Sequence, residues 1–316
     1  LTIAEEADKN YHRENIIGEQ LVGAGFSEIM NNSLTKSSYY EETGLNSYPW
    51  EETVKVMNPL SADLGVMRQT LLFGGLESIV RNVNRKAQNL RFFEVGNVYK
   101  FNKEKWSEES PVKAYSQDYH MALWVTGKRV QGSWAHPDEE STFYELKAYV
   151  ENILRRIGIA QGLLVSEKSD NNVFDKAIVL KTRAGKILVE MGILSHKLLK
   201  SFNIDQKVYY AELDWAGLMK AIRKNKLQFQ EISKYPAVSR DLALLVDNNV
   251  EFAQIEEIAR QTDKKLLKRV ELFDVYQGKN LPEGKKSYAV NFILQDETKT
   301  LNDKAIDAIM QKLIKN

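Results

Sequence analysis

Two segments near the end of the chain do most to limit its fold. They are LKRVELFDVYQG and SYAVNFIL, joined by NLPEGKK. In the first, strict alternation puts Val270, Leu272, Asp274 and Tyr276 on one side and Phe273 and Val275 on the other. In the second, Tyr288, Val290, Phe292 and Leu294 share a side, and Ser287, Ala289 and Asn291 share the opposite one. A period of two is what a sheet with one buried face requires. Pro and Gly in the connection supply a fixed φ and a permissive one, as a turn needs. The pair is therefore expected to be neighbouring strands with one apolar face. The open face is expected to carry Asp274, Tyr276, Ser287, Ala289 and Asn291.

Helical patterns flank this hairpin. EFAQIEEIARQT places Phe252, Ile255 and Ile258 at spacing three. LNDKAIDAIMQKLI places Ile306, Ile309, Met310, Leu313 and Ile314 at helical spacing, after a cap at Asn302 or Asp303. With SRDLALLVD as a preceding strand, the order is strand, helix, strand, strand, helix. That is a ferredoxin-like split βαβ arrangement, βαββα, short of its last strand. A cut or disordered end is expected after Asn316.

SKYPAVSRDLALLVD, LFDVYQG and LPEGKKS resemble the ferredoxin-fold anticodon-binding domain that ends the beta subunit of bacterial phenylalanyl-tRNA synthetases. The resemblance implies a tRNA-binding face on the open side of the sheet. It implies anticodon contacts at Ala243, Asp274, Tyr276 and Ser287.

Charge limits what else such a face can do. The whole chain carries a net charge of +1. From Glu231 onward, 14 Lys and Arg stand against 14 Asp and Glu. This argues against non-specific polyanion binding, which wants a basic surface. Two local clusters flank FDVY in sequence and are candidate phosphate contacts: Lys264, Lys265, Lys268 and Arg269, then Lys285 and Lys286. The chain has no Cys, which excludes disulfides, thiolate metal sites and cysteine nucleophiles. No apolar run approaches the roughly 18 residues of a membrane span. A soluble cytoplasmic protein, with its natural N-terminus missing before Leu1, is expected.

The remaining sequence reads as a second module. Residues 2–23 form a helix with Ile3, Ala7, Tyr11, Ile17 and Leu21 near one face. GAGFSE follows a helix and has Glu28 where a dinucleotide fingerprint needs its third Gly, so no cofactor is expected there. SEIMNNSL and VKVMN read as strands, and a helix with Leu72, Leu76, Ile79, Val80 and Val83 starts near Gln69. RFFEVGNVYKF and MALWVTG are strands on either side of a loop at 103–118. A helix begins near Ser141. KAIVLKT and KILVEMGIL are strands, and VYYAELDWAGLMKAI is a strand and helix. The four histidines show no metal-ligand spacing, and neither Ser133 nor Ser195 sits in a nucleophile elbow.

This stretch resembles the same beta subunit, in the module that copies the class II synthetase catalytic fold. There the resemblance implies an antiparallel sheet with flanking helices. Active class II enzymes carry Arg, any residue, Glu where this chain has RFFE, and the Arg grips ATP phosphate. Here Arg91 and Glu94 are three apart. The Gly-rich strand and Arg-bearing helix of active enzymes are replaced by YYAELDWAGLMKAI, and NVFDKA departs from a His-Pro-Gly pattern. No catalytic residue and no metal ligand is therefore expected. The resemblance covers nearly the whole chain. It implies a catalytic-like module over 1–228, an anticodon-binding domain over 231–316 and a junction at KLQFQEISKYP. It further implies a heterotetramer of two alpha and two beta chains. The alpha subunit would attach phenylalanine to its tRNA with ATP and Mg, neither bound by this chain, and the beta subunit would scaffold it. Two other readings are a free-standing RNA-binding module and a small-molecule-sensing regulator with a split βαβ domain.

Overall fold

The computed structural model describes residues 5–41, 43–159, 162–223, 231–278 and 281–315. Ile3 and the first half of the expected junction lie outside them. The chain divides into two compact units, Leu1–Lys226 and Leu227–Asn316.

The larger unit opens with α1 (Glu6–Gly23), β1 (Ser27–Glu28), β2 (Leu34–Thr35), α2 (Ser38–Glu41), β3 (Val66–Met67) and α3 (Leu72–Val83). It continues with β4 (Leu90–Phe101), β5 (Tyr115–Thr126), β6 (Lys128–Val130), β7 (Glu139–Glu140) and α4 (Phe143–Ile157). It ends with β8 (Leu164–Lys168), β9 (Phe174–Thr182), β10 (Ile187–Leu194), α5 (His196–Ser201), β11 (Val208–Asp214) and α6 (Trp215–Ile222). Seven strands form one sheet in the order β1-β4-β5-β11-β10-β9-β8. All its pairings are antiparallel except β1 with β4, so the expected antiparallel sheet is mixed.

Both faces of this sheet are covered. Phe93, Met121, Leu123 and Val125 pack against α1, α4 and α6. Phe92, Ala122, Trp124 and Tyr210 pack against α2, α3 and α5. Alternation along β4 and β5 delivers residues to two cores at once, which is why both phenylalanines of RFFE are buried. Thr142 accepts from the Glu145 N–H to start α4, and Gly158, at φ 92, ends it.

Several expected elements differ. On α1, Ile17 and Leu21 are buried but Ala7 and Tyr11 are exposed. SEIMNNSL is not one strand: Asn31 turns between β1 and β2 to donate its N–H and side-chain amide to Glu94. VKVMN forms only a bridge, Lys55 to Val66, before Asn58 at φ 52 and Pro59 turn the chain away. The helix starts at Leu72, not Gln69, because the Gln69 N–H donates to the Tyr40 hydroxyl and Thr70 donates to Glu212. β5 begins at Tyr115, inside the expected loop, and β8 and α5 were not expected at all.

The smaller unit is β12 (Val238–Asp247), α7 (Phe252–Thr262), β13 (Leu267–Tyr276), β14 (Lys285–Leu294) and α8 (Asp303–Lys315). The sheet order is β12-β14-β13, antiparallel throughout. β14 thus lies between the two strands that α7 connects, the split βαβ arrangement. Burial along β14 alternates at every residue from Lys285 to Leu294. Its buried set, Tyr288, Val290, Phe292 and Leu294, packs with Ala259 of α7 and Ile306 and Ile309 of α8. Ile258 and Ile314 are exposed, contrary to the helical reading. Three-residue spacing slips back about 60° per step, so Ala259, four after Ile255, takes the inward position.

Candidate nucleic-acid interface

Residues that face each other across an antiparallel pair share a side of the sheet. Ala243 faces Ala289, and Ala289 faces Asp274. Leu245 faces Ser287, and Ser287 faces Tyr276. These are two adjacent rows, about 7 Å apart along the strands. They lie on the side opposite Tyr288 and Val290, the side that α7 and α8 do not cover.

Strict alternation would have put Asp274 and Tyr276 inward with Val270 and Leu272. A bulge prevents this. Leu272 pairs with Val290 but Asp274 pairs with Ala289, so two β13 steps match one β14 step. The extra residue is Phe273, which is largely exposed. Beyond it, inside and outside exchange.

The structure therefore brings Ala243, Asp274, Tyr276 and Ser287 together. The two alanines make a low floor, Asp274 can accept from a base edge and Ser287 can donate or accept. Tyr276, 43% exposed, gives a flat apolar ring. Leu245, 53% exposed, completes the row and was missed, because an exposed Leu carries no motif. One row farther, Asn291 donates to Ser239 and Asp241.

The lysines do not gather in the same way. Lys264 and Lys265 are in the turn before β13 and Lys268 is near its start, at the opposite end of the strand from Tyr276. That is roughly 25 Å away. Lys268 pairs with Glu297 at 2.7 Å, and Lys285 with Asp247 at 2.7 Å. Lys286 is a correction. It is buried on the helix-covered side, donates to the Asn248 carbonyl at 2.9 Å and sits 4.7 Å from the Tyr288 ring centre. The alternation that exposes Lys285 turns Lys286 inward, away from any phosphate.

The polar groups of the larger unit are occupied with one another. Arg91 and Glu94 lie on opposite faces, as a spacing of three on a strand requires. Arg91 pairs with Glu145 at 3.1 Å, and Glu94 with Arg68 at 2.6 Å. His120 Nδ1 lies 2.8 Å from Glu212, which also accepts from Thr70 and Tyr210. Among the described residues no group of His, Asp and Glu could hold a metal ion.

The His120–Glu212 pair makes the unit pH-sensitive. Burial opposes charge on both, and their mutual hydrogen bond and attraction outweigh it, raising the His120 pKa and lowering that of Glu212. The histidine's contribution is complete below its ordinary 6.5 and is lost as pH rises through its higher folded value. The glutamate's is complete above 4.5 and is lost as pH falls through its lower folded value. Denaturant midpoints should therefore fall as pH rises from about 6.5, and fall less in His120→Gln. Equal slopes in the two proteins would contradict this.

Comparisons with known proteins agree with the resemblance read from the sequence. The family described as "Phenylalanyl tRNA synthetase beta chain CLM domain" matches residues 2–215. The one described as "Ferredoxin-fold anticodon binding domain" matches residues 233–316. A protein of Bacteroides thetaiotaomicron named phenylalanine–tRNA ligase beta subunit is 59% identical over 316 residues, 100% of this chain and 38% of that protein. Its namesake from Bacteroides fragilis is 57% identical with the same coverage. That of Porphyromonas gingivalis is 52% identical over 98% of this chain and 37% of its own length. The chain thus spans little more than a third of these relatives. Matched through both of its units, it belongs to the phenylalanyl-tRNA synthetase beta chain family.

Proposed function

We propose that this chain is the part of a phenylalanine–tRNA ligase beta subunit that binds the anticodon region of phenylalanine tRNA and scaffolds an alpha subunit. The whole enzyme would couple phenylalanine to its tRNA with ATP and Mg, as two alpha and two beta chains in the cytoplasm. The observation that carries the RNA-binding part is the pair of rows Ala243–Ala289–Asp274 and Leu245–Ser287–Tyr276 on the helix-free face. An open strand with an aromatic, flanked by small polar groups, suits an unstacked base better than a duplex. The near-neutral charge of this unit fits recognition by base contacts more than by phosphate attraction.

Scaffolding is supported by α1, where Tyr11 is 66% and Val22 57% exposed. The apolar residues of α3 lend no support, because Leu72, Phe73, Leu76 and Ile79 are consumed in its own core. Arg91 and Arg68 are both tied to buried carboxylates, which supports a non-catalytic role for this chain. Family membership favours this reading over a free-standing RNA-binding module or a small-molecule sensor.

The test is to titrate the 316-residue chain with a phenylalanine tRNA anticodon stem-loop. The same preparation is then assayed for phenylalanine-dependent exchange of pyrophosphate into ATP. Saturable binding without exchange is expected. Exchange by the purified chain, or no binding to the stem-loop, would sink the proposal.

A further inference from the structure

We infer that Gly278 is a positioning residue, whose missing side chain makes the seat for the Tyr276 ring. A Cβ added at Gly278 would lie 2.5 Å from the Tyr276 hydroxyl oxygen, 2.6 Å from Cζ and 3.2 Å from Cε2. The first two distances are far inside van der Waals contact, so ring and methyl cannot coexist there. The inference rests on the reading of Tyr276 as a stacking surface.

Space, not backbone conformation, is what the glycine provides. Gly284, in the same connection, has φ 77 and open space around it, so it is required for its dihedral. Gly278 is the reverse case. It is absent from the positive-φ glycines, and the three atoms nearest to such a Cβ all belong to the Tyr276 side chain. Alanine is therefore conformationally acceptable at 278 but sterically incompatible with the present ring position. The Gly278 carbonyl accepts from the Leu281 N–H at 3.1 Å, which fixes the backbone against which the ring lies. Among the described residues nothing comparable holds the tyrosine: its hydroxyl has no hydrogen-bond partner there, and the ring is 43% exposed. A ring that no described residue tethers is aimed by what it touches. An added methyl would swing it about its two side-chain torsions and leave the strand pairing of Tyr276 with Ser287 intact.

Four forms of the 316-residue chain test this: the parent, Gly278→Ala, Tyr276→Ala and the double variant. Each is titrated with the phenylalanine tRNA anticodon stem-loop. Gly278→Ala should weaken binding by about three- to tenfold, up to the loss caused by Tyr276→Ala. The double variant should bind no more weakly than Tyr276→Ala alone, because the glycine acts through the ring. In spectra of tyrosine-labelled protein, the Tyr276 ring signals should move in Gly278→Ala and the contact of the ring with the residue 278 α-protons should disappear. If Gly278→Ala unfolds the smaller unit, the double variant should restore it, since the collision is gone. Parent-like binding by Gly278→Ala when Tyr276→Ala is weak would overturn the role of Gly278 alone, as would additive losses or an unmoved ring. Parent-like binding by Tyr276→Ala would instead overturn the stacking reading itself.

Discussion

Replacing Arg68 with alanine is expected to destabilise the larger unit by about 3–5 kcal/mol, the range for removing one partner of a buried ion pair. Arg68 Nη1 donates to Glu94 Oε1 at 2.6 Å, and the two side chains are 8% and 2% exposed. Arg68 Nε also donates to the Asn97 carbonyl at 2.9 Å. The Asn31 N–H and amide reach the same carboxylate at 3.2 and 2.6 Å. Alanine at 68 would leave Glu94 buried with those two donors and no counter-charge. It would also leave the Asn97 carbonyl without this donor. All five tryptophans lie between Trp50 and Trp215, so tryptophan fluorescence follows the larger unit alone during denaturant unfolding. The midpoint should drop sharply. Replacing Arg68 and Glu94 together by Met should recover much of the loss, because the uncompensated charge is then absent. An unmoved midpoint in the single variant would show that the pair contributes nothing.

Tyr276→Ala is expected to weaken binding to a phenylalanine tRNA anticodon stem-loop by about tenfold or more, with the fold intact. Base–aromatic stacking contributes roughly 1–3 kcal/mol per base, and 1.4 kcal/mol is tenfold. The substitution removes an exposed ring whose hydroxyl bonds to nothing among the described residues, so stability should change little. Lys285→Ala should weaken binding less, and its effect should shrink in high salt, because a phosphate contact acts through counterion release. Competition with Asp247, 2.7 Å away, lowers it further. If Tyr276→Ala folds normally and binds as the parent does, this face does not hold the anticodon.

The sequence and the structure agree best where one periodicity controls one surface. β14 alternates without interruption, so its buried and open sets could be listed by counting. On β13 the same counting groups Asp274 and Tyr276 with Val270 and Leu272, so their expected place on the open face ran against the alternation and holds only because of the bulge. The bulge at Phe273 has no local signature, since Phe, Val and Tyr in LFDVY favour a strand and no Gly marks the extra residue. Ion partners were illegible for a different reason. Arg91 stands three residues from Glu94, yet each binds a residue remote in sequence, Glu145 and Arg68. Which carboxylate an arginine meets depends on register between strands, which a single sequence does not contain. Lys286 was misread because a charge is assumed to seek water. Its stem packs inward and its ammonium finds a carbonyl at the edge.

The bulge at Phe273 makes the sidedness of β13 independent of whether that residue is present. Deleting Phe273 would set Asp274 directly after Leu272, still opposite Ala289, so Asp274 and Tyr276 would stay on the open face. A strand that kept Phe273 and lost the bulge is another kind of event, because regular alternation would then turn Asp274 and Tyr276 to the helix-covered side. Variation in a lineage of such proteins can therefore include loss of the extra residue, provided Leu272 still meets Val290 and Asp274 still meets Ala289.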